Sequence, residues 1–218
     1  MKRILPPPER VERDIRLLGL DPGRLDLDRL YSWAELLRKR SSAVNLIGPD
    51  EIGRLWTRHV LESLAYSLLL DSGRPVVDIG AGCGLPGVPL ALMGHRVTLL
   101  EPRRKRYLFL MHAVDVTGMP AEPVRVRVED LAPAAPDRCQ FVCRAVRPPG
   151  GMSELLEGYG GRGGTLTMRR PPGAGYAGAA AVRRLPVPPL DRRGVLVQFR
   201  LPGPQGLRAR KRAGSGGQ

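Results

Sequence analysis

The chain has 218 residues, 35 of them Lys or Arg against 21 Asp or Glu, for a formal charge of +14, and 42% of it is hydrophobic, enough for one substantial core and too much for global disorder. No apolar run approaches the roughly 18 residues of a bilayer span, and Pro6-Pro7-Pro8 follows Met1 too closely for a signal-peptide core, so a cytoplasmic chain without a membrane segment is expected. The surplus positive charge suits a polyanion such as nucleic acid, or an anionic membrane surface; a genome rich in Arg codons would also produce it.

Residues 9–70 read as helical. Leu27, Leu30, Ala34 and Leu37 recur every three or four positions, and Leu61, Leu64, Ala65 and Leu68 repeat the pattern. Between them, residues 41–50 break the period and read as a loop with buried anchors, in which Asp50 is placed to cap a short helix.

At Arg74 the pattern changes to short β-branched runs: residues 75–79, 97–101, 124–128, 140–146, 165–168 and 195–201. A helical stretch over residues 102–116 separates two of them, and such alternation predicts a parallel sheet with crossover helices. Residues 147–189 are so cut by Gly and Pro that the pattern is hard to read there. The end, with Arg208-Ala209-Arg210-Lys211-Arg212, has no apolar face. The expected organisation is a helical N-terminal region packed on the core (1–70), a Rossmann-like α/β domain with helices on both faces (71–203) and a flexible basic tail (204–218).

The chemistry concentrates where the first strand ends, at Asp78-Ile79-Gly80-Ala81-Gly82-Cys83-Gly84-Leu85-Pro86-Gly87. A strand running into closely spaced glycines and then a helix lets backbone approach a ligand. Gly82, Gly84 and Gly87 match a dinucleotide fingerprint, whereas Asp78, Gly80, Gly82 and Gly84 fit the first motif of S-adenosylmethionine (AdoMet) methyltransferases. The acid before the glycines favours the second register, because it would sit badly beside a pyrophosphate and can help orient a cationic methionine moiety. Glu101 closes the next strand, 21 positions after Gly80, near the spacing of about 20 at which an acid meets ribose hydroxyls. It therefore supports a nucleoside ligand without naming it. Glu129-Asp130 occupies the usual neighbourhood of an adenine contact. Three cysteines, Cys83, Cys139 and Cys143, lack zinc-site spacing and are too few for a disulfide scaffold, so neither metal nor disulfide is expected.

The combination of Asn45-Leu46-Ile47, Arg58-His59-Val60-Leu61-Glu62-Ser63, the glycine turn continued through Val88-Pro89-Leu90, Leu99-Leu100-Glu101-Pro102, Lys105-Arg106, Arg127-Val128-Glu129-Asp130 and Phe141-Val142-Cys143-Arg144-Ala145 closely resembles the RsmG family, also called GidB. The resemblance runs in order over residues 25–146. It implies a class I methyltransferase fold, AdoMet as cofactor, and methylation of N7 of a guanine in small-subunit ribosomal RNA by a monomer. Cofactor contacts would fall on Gly80, Leu85, Glu101, Val128, Glu129 and Arg144, beside the motif residues Asp78 and Gly82. Lys105, Arg106 and Arg169 would face RNA. Arg144 is the candidate for orienting substrate or cofactor. Arg169 replaces a lysine of the family, and a guanidinium differs from an ammonium in geometry and hydration. Other readings keep the cofactor with a different acceptor, reduce the chain to a non-catalytic RNA-binding relative, or, with least support, make it an NAD oxidoreductase.

Overall fold

In a computed structural model, the structure describes residues 4–130, 139–144, 156, 164–173 and 175–201. The N-terminal region is helical: α1 (Pro8–Leu17), α2 (Leu27–Val44) and α3 (Pro49–Ile52) lead into a π-helical turn (Leu55–Val60), α4 (Leu61–Leu64) and a 3-10 turn (Ala65–Leu69). Asp26 starts α2 by accepting the N–H of Arg29 at 3.1 Å, and Asn45, left-handed at φ 53°, ends it. The helix thus runs to Val44, four residues into the stretch read as a loop from Ser41. Asp50 is not a cap either: Gly48 precedes the helix and Asp50 lies inside its first turn, where Pro49 needs no N–H partner.

The rest alternates as expected: β1 (Val76–Ile79), α5 (Gly87–Leu92), β2 (Val97–Leu100), α6 (Arg104–Thr117), β3 (Ala121–Val124), β4 (Gln140–Cys143), β5 (Thr165–Arg170), β6 (Ala179–Arg184) and β7 (Val195–Arg200). Among the described residues they form one seven-stranded sheet in the order β3-β2-β1-β4-β5-β7-β6. The first five are parallel, while β7 runs antiparallel to both β5 and β6.

Two strands differ from expectation. The third occupies residues 121–124 and not 124–128, because the N–H of Val126 turns back to the carbonyl of Val124 at 3.1 Å and bends the chain out of the sheet. Its Pro123 is tolerated because β3 is an edge strand. The sixth, β6, was not legible: its Ala-rich, mostly exposed run has little alternation and is held by pairing with β7.

Alternation along the strands sorts the core into two clusters. Val76, Leu99, Val142 and Leu196 face the cluster that contains α1, α2, the π turn, α4, α5 and α6. The N-terminal helices and the sheet therefore share one core. Val77, Ile79, Leu100, Phe141, Cys143, Leu166 and Met168 face the other side, where helical Leu156 joins them. The helices expected on that second face lie, apart from Leu156, outside the described residues, as does the basic tail.

Candidate functional site

β1, β2 and β4 end side by side, and the loops after them enclose a cleft of about 430 Å³. Of the expected site residues, Gly80, Gly82, Leu85, Glu101, Arg106 and Arg144 line it. Gly80 and Gly82 adopt φ of 69° and 61°, a region open to glycine at no steric cost, and so bring bare backbone to the wall. Glu101 is held from both sides: Oε2 accepts the N–H of Gly82 at 2.9 Å and Oε1 that of Arg103 at 2.8 Å. Each oxygen keeps a lone pair that can accept a hydroxyl.

Asp78 shares the cleft's motif but not its wall. Side-chain alternation turns it toward α5, where it is fully buried and its Oδ2 accepts the N–H of Gly87 at 2.8 Å. Burial pushes its carboxyl up to about 7, against the opposing pull of the Gly87 N–H and the Arg144 charge. Val128 is buried and Glu129 exposed in the 3-10 turn Val128–Asp130, and neither lines the cleft. Lys105 faces a separate groove between α2 and α6 with Arg40, Val44 and His112, so the basic pair divides: Arg106 turns inward and donates to the carbonyl of Asn45 at 3.2 Å.

Arg169 joins a cluster beside the cleft. Glu62, with no exposed surface, is met by Arg144 Nη1 at 3.8 Å, Arg169 Nε at 3.0 Å and Arg192 Nη2 at 3.3 Å. Arg144 also reaches His59, Nη2 to Nδ1, at 2.7 Å. Sequence reasoning gave no role to Glu62, Arg192 or Leu46, which also lines the cleft. Glu62 and Leu46 do stand within the quoted motifs; Arg192 carried no signal.

Cys83, at the cleft, is raised by burial to about 11, and Cys143 likewise to about 12. Both thiols are protonated near neutrality and supply no thiolate nucleophile. No group of His, Cys, Asp or Glu among the described residues could hold a metal ion, and no helix among them is long and apolar enough to cross a membrane.

The strand order, the glycine turn after β1 and the acid after β2 define a class I methyltransferase fold. A solved structure of a mutant of MtNAS shares that fold at a TM-score of 0.50 and 16% identity, over 79% of this chain and 72% of that one. The family described as GidB, rRNA small subunit methyltransferase G, matches residues 26–170, and the chain belongs to it. It is similar to the ribosomal RNA small subunit methyltransferase G of Mycobacterium sp. (strain JLS), 43% identical over 61% of this chain and 56% of the relative. The protein of that name from Paramagnetospirillum magneticum is 40% identical over 58% and 62%. The chain thus spans less than two thirds of the length of these curated relatives.

Proposed function

We propose that the chain transfers a methyl group from AdoMet to N7 of a guanine in small-subunit (16S) ribosomal RNA, acting as a monomer in the cytoplasm. The observation that carries this reading is Glu101, oriented by two backbone N–H groups at the mouth of the glycine turn inside a cleft of about 430 Å³. The residues fit the cofactor. The volume lies within the range of about 300–1,000 Å³ usual for small-molecule sites. Glu101 would accept both ribose hydroxyls, the bare backbone at Gly80 and Gly82 leaves room for the amino-acid end, and Arg106 and Arg144 offer charge to its carboxylate. Val128 and Glu129 lie off the cleft wall, so an adenine role for them rests on the family resemblance alone, and Asp78 would act from beneath by holding the turn closed.

When bound, AdoMet supplies an electrophilic methyl on a sulfonium. The guanine N7 lone pair would displace that methyl from sulfur, leaving the C–S electron pair on sulfur and the positive charge on the purine. N7 carries no proton, so no general base is required, and the chain's task is in-line positioning. Arg144, at the end of β4 and on the cleft, would orient the reactants, and Lys105, exposed on α6, would meet phosphates; Arg106, turned to the cleft, and Arg169, engaged with Glu62, are not free to do the same in this arrangement.

The test is transfer of labelled methyl from AdoMet to purified 30S subunits lacking the modification, with mapping of the base. Label at one guanine, cleavable by chemistry specific for N7-methylguanine, is expected. Label only in free RNA of another kind, or in a small molecule, would move the acceptor; none anywhere would leave an RNA-binding relative.

A further inference from the structure

Arg144, on the cleft, is approached by groups of the N-terminal helical segment on two sides. On one side stands His59, in the π turn and only 7% exposed. Its Nδ1 lies 2.7 Å from Arg144 Nη2 and its Nε2 lies 2.7 Å from Glu51 Oε2. A guanidinium has donors only and stays charged, so Nδ1 must accept; the ring proton is then on Nε2 and is donated to Glu51. One neutral tautomer satisfies both contacts. Glu51 is steadied in turn by Arg58 Nε at 3.3 Å. On the other side is Glu62, which also takes Arg169 and, through two contacts of 3.3 Å, Arg192.

We propose that His59 and Glu62 are positioning residues, which together fix the guanidinium of Arg144 at the rim of the cleft, His59 in its neutral form with the proton on Nε2. The functional part rests on the proposed methyl transfer; the geometric part does not. An arginine side chain is long and free to rotate, and a misplacement of about 1 Å at a reacting centre can cost about 100-fold in rate. The hydrogen bond from Nη2 to His59 fixes one terminal nitrogen, and the Glu62 carboxylate, an ion-pair contact 3.8 Å from Nη1, which makes no hydrogen bond, draws the other the same way. The helical segment thus acts on the cleft through a hand-off from Glu51 to His59 to Arg144.

The arrangement also makes the grip sensitive to acid. The charged groups facing His59 are Glu51 from α3 with Arg54 and Arg58 beside it, Glu62 from α4 and Arg144 from the end of β4. Protonating Nδ1 would set a second donor against the guanidinium. Burial, and after it the Arg144 charge, hold His59 below the usual imidazole range, so the contact is intact at neutral pH and is lost on acidification.

The experiment uses the full chain, with His59→Phe as a variant that fills the space without an acceptor and His59→Gln as one that offers an acceptor and a donor without titrating. With three histidines in the chain, the imidazole nitrogens can be assigned by nuclear magnetic resonance. His59 is expected as the Nε2–H tautomer, and the Arg144 terminal nitrogens are expected to be rotationally slowed in the wild type and freely averaged in His59→Phe. In methyl transfer to 30S subunits, His59→Phe should lower kcat at least tenfold with little change in KM for RNA. His59→Gln should recover most of kcat and lose the His59 part of the acid limb of the pH profile. A proton on Nδ1, or an Arg144 signal unmoved by His59→Phe, overturns the inference, as does an unchanged kcat in that variant. A wild-type protein that transfers no methyl while showing the expected nitrogen signals overturns the proposed acceptor and the functional half of this proposal, and leaves the positioning geometry standing.

Discussion

The N–H of Gly87 donates to Oδ2 of Asp78 at 2.8 Å, while the other carboxyl oxygen, Oδ1, is buried without a hydrogen-bond partner. The first turn of α5 is thereby tied to the strand beneath it, and the glycine turn between them is closed. This is the source of the raised carboxyl: desolvation disfavours the charged form, and a single N–H together with the Arg144 charge does not offset it.

A pH dependence of stability follows. The folded value of about 7 lies above the ordinary 3.8, so the fold favours the protonated acid. The contribution of this group is full below pH of about 4 and is lost as pH rises through about 7. Full ionisation costs on the order of 4 kcal/mol, of which the unpaired donors of an amide would return about half, so Asp78→Asn should stabilise by about 2 kcal/mol at pH 8. At pH 4, where wild type keeps the protonated acid and loses nothing to ionisation, the same unpaired donors should leave the variant less stable by about 2 kcal/mol. Urea unfolding at the two pH values measures both, and a variant less stable than wild type at pH 8 would show that the buried carboxylate is compensated.

The glycines of the turn divide by what a side chain would meet. A Cβ on Gly87 would lie 2.2 Å from Leu99 Cδ2 and 2.7 Å from Asp78 Oδ2. Gly87→Ala must therefore push apart the strand and helix, and a loss of about 3 kcal/mol is expected. At Gly82 the nearest atoms are 3.8 Å away, leaving mainly the left-handed φ, which costs an alanine about 1 kcal/mol. Thermal unfolding should rank Gly82→Ala well above Gly87→Ala. Calorimetric titration with AdoMet should nonetheless detect weaker binding to Gly82→Ala, whose new methyl stands on the cleft wall.

Tyr66 stitches two strand ends together beneath the arginine cluster. Its hydroxyl donates to the carbonyl of Cys143 at 3.0 Å and accepts the N–H of Arg169 at 3.1 Å, and the side chain has no exposed surface. Burial holds the phenol protonated well beyond the ordinary range, so the link is insensitive to working pH. Tyr66→Phe leaves two backbone groups without this partner and should cost about 2 kcal/mol. Because those groups adjoin Arg144 and Arg169, methyl transfer should fall with stability; a stable variant with wild-type turnover would separate the stitch from the site.

The parts of this molecule that were legible are those where local sequence decides the structure. The glycines and Glu101 follow from a strand, a tight turn and a second strand at fixed spacing, and α2 follows from its apolar period. The misses are tertiary. Val124, Val126 and Val128 alternate like a strand, yet one backbone bond from Val126 to Val124 turns the chain away. The Ala-rich β6 exists because β7 offers it an edge. Asp78 has the right spacing for a ligand contact, but the parity of β1 points it into the core. No spacing rule could join Glu62 to Arg144, Arg169 and Arg192, since the partners lie 82, 107 and 130 positions further along the chain.

That separation makes Arg144 the most informative single substitution. Glu62 would keep Arg169 and Arg192 after Arg144→Ala, and the lost Glu62 contact is the longest of the three at 3.8 Å. The stability cost should therefore be only about 1–2 kcal/mol, chiefly for the unmet acceptor on His59. Arg144→Lys is not a mild alternative: one ammonium cannot span the His59 and Glu62 contacts that two terminal nitrogens share, so it should restore little. Methyl transfer to 30S subunits should fall by about 100-fold or more in Arg144→Ala and by about tenfold or more in Arg144→Lys, magnitudes typical of losing a positioned charged group. Urea unfolding run on the same preparations separates lost chemistry from lost fold. Wild-type turnover in either folded variant would remove Arg144 from the mechanism and leave Glu101 and the glycine turn to carry it.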